Sequence, residues 1–466
     1  MTATHPPWAL RADPGSFRDP RSRVFRRGDQ IIRAFNERGL SDYQEIADSE
    51  FFRHAIDAKR IIATRRLDAH DVPDGWAGAV AHDLVPVITY PYEWTFSMLR
   101  DAALLQLRLV RDGLRAGVGC KDGTSYNVQF TGGRPVFIDV GSFEPVGDDP
   151  WPGYRQFCSL YLYPLMLEAY LGVSFAPWLR GSLEGITTVD AAALFRGRAR
   201  FRPGVLSHIT LHAAAERRYA TRQDPAAALT SGGGQMAAVV DALVGKLIRL
   251  VSGLEAPTAP SEWSGYVDRS HYAAQSLQAK DAFVEEVIAA AGPGVVADLG
   301  CNDGRFARIA SRHAGLVVAL DADRRVVDDL HRTLQDRSPN VVALLGDLAD
   351  PSPGLGWDLV ERRPLADRLS PDLVLSLALI HHLVIGRNIP VGHYIEHLAR
   401  LAPHVVLEVP HEDDPMVAVL LGSKPDDTHV DYRLDVIEAA ISDRFQIAGR
   451  EELPGGTRTI YDLRRR

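Results

Sequence analysis

The chain is poor in cysteine. Cys120, Cys158 and Cys301 are the only three among 466 residues. They are too few and too scattered for a disulfide framework or a zinc site, so a reducing, cytoplasmic setting is expected. No apolar run reaches about 18 residues, so no membrane span and no membrane partner are expected. The opening residues, MTATHPPWALRADPGS, hold no apolar core of signal-peptide length. A basic excess is also missing: 52 basic against 60 acidic residues leave a net charge of −8. A general nucleic-acid binder usually presents a basic face, so no nucleic-acid partner is expected. Internal repeats and long low-complexity tracts are absent. The remainder is globular in character, 46% apolar and 24% charged, with a length that predicts two or three domains.

The most informative stretch is residues 294–310, GVVADLGCNDGRFARIA. Residues 295–297 read as a short buried strand ended by Asp298. Gly300 and Gly304 bracket a tight loop, and residues 305–312 continue as a helix. Strand, glycine turn and helix open a doubly wound sheet, where ligands sit at the carboxyl ends of the strands. Glycines let the backbone pass close to a ligand, and the helix start offers free N–H groups. The loop lacks the full GxGxxG dinucleotide pattern. Downstream, residues 316–320 form a second strand ending in Asp321; an acidic residue about 20 positions after the glycine loop suits a pair of ribose hydroxyls. Residues 341–345 form a third strand, followed by Gly346 and Asp347. Residues 372–379 form a fourth, running into Ile380, His381 and His382, and residues 404–409 a fifth.

This arrangement resembles the class I S-adenosylmethionine (SAM) methyltransferases, whose first motif is DxGxxxG. Asn302 stands where many members carry a middle glycine. The resemblance covers residues 261–466. It implies an α/β, Rossmann-like methyltransferase domain over 262–466 with SAM as cofactor. Asp298, Gly300, Cys301, Asn302 and Gly304 would then form the cofactor loop, Asp321 would meet the ribose, and Asp347 the adenine. Trp263, Tyr266 and Tyr272 precede the motif and read as a lid, with Tyr266 and Tyr272 as cofactor contacts; simple packing is the plain alternative.

Methyl transfer from a sulfonium rests mainly on alignment of donor and acceptor. A hydroxyl or amine acceptor also needs a base, expected at the carboxyl ends of the fourth and fifth strands. His381, His382 and Glu408 are the candidates, histidine being the natural base near neutral pH. His411, Glu412, Asp413 and Asp414 offer an oxygen-rich set of the kind magnesium prefers, or else a solvated acidic loop.

Residues 20–255 read as a separate α+β domain, with a Pro/Ser-rich linker over 253–261. Residues 96–114 repeat leucine at helical spacing. Residues 120–143, CKDGTSYNVQFTGGRPVFIDVGSF, place Asp122 and Asn127 ahead of a hairpin that ends at Asp139. This segment resembles the catalytic segment of protein kinases and antibiotic-type phosphotransferases. The resemblance implies that Asp122 orients an acceptor hydroxyl while Asn127 and Asp139 hold Mg2+. The departures are specific. Cys120 replaces the usual histidine, no glycine-rich phosphate loop lies upstream, and no lysine-bearing strand motif is found. Lys59 or Arg33 is left as an unplaced substitute. A degenerate kinase-like domain and a hairpin with a polar loop both remain open, and Mg2+ belongs only to a live version of the first.

The whole chain also resembles a bacterial family of two-part, methyltransferase-like proteins that includes nodulation proteins. The segments KDGTSYNVQF, GRPVFIDVGSFE, WPGYRQFC, DLGCNDGRFA and ALIHHL carry that resemblance. The expected function is SAM-dependent methyl transfer to a small-molecule or carrier-bound acceptor. The alternatives are an enzyme that also transfers phosphoryl groups, and a protein that holds SAM without turnover.

Overall fold

The computed structural model describes residues 9–147, 150–214, 233–257, 274–334, 338, 340–425 and 431–466. Trp263, Tyr266 and Tyr272 lie outside the described residues. The chain divides into two compact units. The first comprises Met1–Phe130, Arg134–Thr258 and Gly354–Arg362; the second comprises Thr131–Gly133, Ala259–Pro353 and Arg363–Arg466.

The first unit holds a five-stranded antiparallel sheet. Its strands are β1 (Arg11–Ala12), β2 (Ser22–Arg27), β3 (Gln30–Phe35), β4 (Thr64–Arg66) and β5 (Gly78–His82), in the order β1-β2-β3-β5-β4. Two helices follow the third strand, Glu37–Ala47 and Glu50–Asp57. Ser49 divides them, because its Oγ accepts from the Phe52 amide at 3.2 Å and starts a new helix. The leucine-rich helix Phe96–Arg115 is capped by Thr95 and buries Leu99, Leu105, Leu107 and Leu109. Four short strands follow: β6 (Val118–Cys120), β7 (Val128–Thr131), β8 (Arg134–Phe137) and β9 (Phe143–Pro145), with β6 paired to β9 and β7 to β8. The β7–β8 turn runs through Gly132 and Gly133 at φ +58° and +71°, the left-handed values that favour glycine in such hairpins. The segment Gly354–Arg362 also belongs here. Glu361 accepts from Arg18 Nε at 2.7 Å and Nη2 at 2.9 Å, and the Arg362 guanidinium lies 4.5 Å from the Tyr126 ring centre.

The second unit is built on seven strands. Parallel strands β10 (Val295–Leu299), β11 (Leu316–Asp321), β12 (Val341–Leu345), β13 (Leu373–Ser376) and β14 (His404–Pro410) are joined by β15 (Phe445–Glu452) and β16 (Arg458–Arg465). The order is β12-β11-β10-β13-β14-β16-β15, and β16 runs antiparallel to both neighbours. The parallel strands are almost continuously apolar, as strands covered on both faces must be. The chain leaves β10 toward β11 and β12, then returns to lay β13 on its other side. That reversal opens a crevice at the carboxyl ends of β10 and β13. The five strands read from sequence are present; β15 and β16 extend the sheet beyond them.

The loop after β10 depends on two glycines. Gly304 sits at φ +76°, and a Cβ there would lie 2.5 Å from Leu330 Cδ1. Gly304→Val therefore combines a left-handed β-branched residue with overpacking worth about 1–3 kcal/mol. Hydrogen exchange of the β10 and β11 amides should accelerate in this variant; unchanged protection would show that the loop tolerates a side chain.

Candidate active site

The glycine loop is pinned to the neighbouring strand. The amides of Gly300 and Cys301 both donate to the Leu320 carbonyl, at 2.8 and 3.0 Å, and the Gly304 amide donates to the Cys301 carbonyl at 2.9 Å. Gly300 and Asn302 both have positive φ, +71° and +46°. The Asn302 amide donates to Asp321 Oδ2 at 2.9 Å, and the Asp323 amide to Asp321 Oδ1 at 2.9 Å. Asp321 thus fixes the loop from the end of β11. Burial raises its carboxyl above the usual range, and the backbone amides of Asp323, Asn302 and Ala322 pull it back down.

Asp298, at the end of β10, is buried, and its Oδ2 has no hydrogen-bond partner among the described residues. Burial drives this carboxyl up to about 7, against the pull of Lys280. An unpartnered buried carboxylate oxygen is costly and marks a place where a donor or a cation would be welcome. Cys301 is buried too, and burial pushes its thiol up, so it is not poised as a nucleophile.

Lys280 carries no motif and was not singled out in the sequence. It lies on the helix Ala274–Ala291 and is only 4% exposed. Its Nζ ion-pairs with Glu408 Oε2 at 2.5 Å and stands 4.5 Å from the Phe306 ring centre. Glu408, on β14, is fully buried and also accepts from Arg458 Nη1 at 3.2 Å. Arg458, from β16, donates through Nε and Nη2 to the two oxygens of Asp414, at 2.6 and 3.2 Å. Two cations and two carboxylates therefore alternate in one buried chain. Glu408 is held as a member of this chain.

His381 and His382 follow β13 and their rings lie 4.0 Å apart. His381 is fully buried, and neither ring nitrogen has a hydrogen-bond partner among the described residues. Burial, then His382, Arg458 and Lys280, hold it well below the usual histidine range. His382 is half-buried, and desolvation followed by the charge of Arg458 lowers it to about 4. Both imidazoles are neutral across neutral pH.

The other predicted positions have varied settings. Asp347 follows β12, caps the Ala349 amide and ion-pairs with Arg387 at 3.0 Å. His411 Nε2 meets the Thr459 hydroxyl at 2.9 Å, Glu412 accepts from the Leu434 amide, and Asp414 binds Arg458. Their partners lie in different elements, and no metal-binding group forms among the described residues.

In the first unit, Asp122, Asn127 and Asp139 converge on one atom. The Ser142 hydroxyl lies 2.7 Å from Asp122 Oδ2 and 3.0 Å from Asp139 Oδ2, and it accepts from Asn127 Nδ2 at 2.9 Å. One hydroxyl proton cannot serve two carboxylates. Burial, with Asp139 nearby, accordingly raises the Asp122 carboxyl. Arg33 on β3 ion-pairs with Asp139 at 2.9 Å. Of the two cations left unplaced by the sequence, Arg33 is the one at this site.

The sheet order and the glycine loop of the second unit together define the class I methyltransferase fold. No family model matches the chain. Over 458 residues it is 32% identical to the nodulation protein NoeA of Rhizobium meliloti (strain 1021), covering 97% of this chain and 95% of that protein. The chain belongs to the NoeA family of nodulation proteins. Solved structures similar to it include N-methyltransferase NodS from Bradyrhizobium japonicum WM9, 12% identical over 41% of this chain and 96% of that one, with a TM-score of 0.30. Another is magnesium protoporphyrin IX methyltransferase from Synechocystis PCC 6803 with bound S-adenosylhomocysteine, 20% identical over 41% and 84%, with a TM-score of 0.30.

Removing one member of a buried ion chain strands the others. Glu408→Ala should cost about 3–5 kcal/mol, read by calorimetry as a lowered melting transition of the methyltransferase-fold unit. An unchanged transition would mean that Lys280 and Arg458 do not depend on Glu408.

Proposed function

We propose that the chain is a SAM-dependent methyltransferase acting on a small-molecule or carrier-bound acceptor. The observation that carries this reading is the pairing of the unpartnered buried oxygen of Asp298 with Asp321 beside a loop that two glycines keep open. When bound, SAM supplies an electrophilic methyl group on a sulfonium. Its cationic centres suit the negative charge of Asp298, its ribose hydroxyls suit the Asp321 carboxylate, and Asp347 is left for the adenine side. Gly300, Cys301, Asn302 and Gly304 let the backbone approach. His382, half-buried and unprotonated at neutral pH, is the candidate to receive the proton that a hydroxyl or amine acceptor loses. His381 stands behind it, and Glu408 acts through Lys280 and Arg458 as a positioning residue. A net charge of −8 favours an acceptor other than a polyanion.

The first unit supports a role in holding or recognising the acceptor. Its kinase-like cluster is filled from within: Ser142 takes the space between Asp122 and Asp139, and Arg33 neutralises Asp139. Phosphoryl transfer depends on metal and phosphate positioning, which this cluster has given over to its own side chains. Incubation with labelled ATP, magnesium and candidate acceptors should give no label transfer. Transfer that disappears in both Asp122→Asn and Asp139→Asn would make the protein a two-activity enzyme.

Calorimetric titration tests the main reading directly. The chain should bind SAM, and Asp321→Ala should weaken binding about 10–150-fold, the loss of a charged hydrogen bond worth about 1.5–3 kcal/mol. Normal affinity in the folded variant would remove Asp321 from the site. The pH dependence has a defined sign. With its carboxyl near 7, Asp298 is protonated in more acid solution and ionised in more basic solution. A cationic ligand prefers the ionised form, so affinity should rise from about pH 6 to 8, and Asp298→Asn should flatten the slope. The ligand-free fold responds oppositely: the raised carboxyl contributes stability below its unfolded pKa, and this is lost as pH rises through about 7.

A further inference from the structure

We propose that the face formed by residues 196–211 of the first unit is a docking surface for an anionic membrane. Between Asp190 and Glu216 the chain carries no acidic residue, while Arg196, Arg198, Arg200 and Arg202 crowd around Phe201 in the sequence RGRARFR. All four arginines are exposed. None of the four is paired with a carboxylate among the described residues; Arg202 lies over the Tyr170 ring. In a chain of net charge −8 this is a concentrated exception.

The apolar residues of the same segment point the same way chemically. Phe201 is 85% exposed at the end of a 3-10 turn, Gly197–Phe201. The π-helical turn Leu206–Thr210 buries His208 and Ile209 but leaves Leu206 50% exposed, and Leu211, one π turn further on, 58% exposed. The inner side of this turn is firmly mounted. The Tyr163 hydroxyl donates to the His208 carbonyl at 2.7 Å, and the Tyr154 hydroxyl meets His208 Nδ1 at 2.7 Å. The exposed side chains are thus carried on a turn fixed from its inner side.

Arginines beside exposed apolar side chains match the headgroup region of a bilayer: guanidinium groups meet anionic headgroups while phenyl and leucyl groups enter the acyl boundary. A single-stranded nucleic acid would instead call for successive aromatic platforms, and Phe201 is accompanied here by leucines. No helix among the described residues is long and apolar enough to cross a membrane, so the contact is peripheral. This departs from the expectation of no membrane partner, which rested on the lack of a spanning run; lying on a bilayer needs no such run.

The test is co-sedimentation of the full chain with vesicles of phosphatidylcholine containing phosphatidylglycerol, and with phosphatidylcholine alone. Binding should require phosphatidylglycerol and fall as salt rises. Phe201→Ser and the double variant Arg198→Gln/Arg200→Gln should each reduce binding at least fivefold, with circular dichroism unchanged. Equal binding to neutral vesicles, no binding to either, or unaltered binding by both folded variants would overturn the proposal. So would affinity for fluorescent polyuridine that the same variants abolish in the absence of vesicle binding.

Discussion

The chain of buried charges Lys280–Glu408–Arg458–Asp414 ties together elements that are distant in sequence. Lys280 comes from the helix that precedes the sheet, Glu408 from its fifth strand, Arg458 from the antiparallel strand beside it, and Asp414 from the cap of the helix Pro415–Leu421. Buried ion pairs do not as a rule outperform well-packed apolar groups. Their alternation here does something packing cannot: it places fixed charge close to Asp298, whose Oδ2 has no hydrogen-bond partner among the described residues, and to His381, whose ring nitrogens likewise have none there. Both the raised carboxyl and the lowered imidazole feel Lys280. Burial is the larger cause of both shifts; the cations of the chain oppose it at Asp298 and add to it at His381, without needing to touch a ligand.

The first unit solves the opposite problem. Asp122 and Asp139 are two carboxylates near one hydroxyl, an arrangement that in water would repel. Arg33 compensates one carboxylate directly, and the hydroxyl of Ser142 bridges to the other. A cluster satisfied by side chains of its own resists hydration and keeps its geometry without an ion. The recognisable pattern of acidic and amide residues is retained while its charges are absorbed internally.

The sequence made the sheet of the second unit legible because parallel strands buried on both faces must be apolar throughout, and acidic residues at their ends stand out. Asp298, Asp321 and the glycine loop were readable for that reason. β15 and β16 were not, because FQIAGREE and RTIYDLRR alternate or end in charge and resemble a solvated edge. Lys280 was invisible for a different reason: a lone lysine on an amphipathic helix looks like surface, and only the pairing with Glu408 and Arg458 removes it from water. The convergence of Asp122, Asn127 and Asp139 could be inferred from the hairpin between the last two. The central role of Ser142 could not, since a serine in a polar loop carries no distinguishing pattern.

The segment Gly354–Arg362 lies between β12 and β13 in the chain yet folds with the first unit, anchored by Glu361 on Arg18. The polypeptide therefore crosses between its two units more than once, and the linker near residue 258 is not a clean seam. A gene split there would give an amino-terminal product lacking part of its own fold and a carboxy-terminal product bearing an orphan segment.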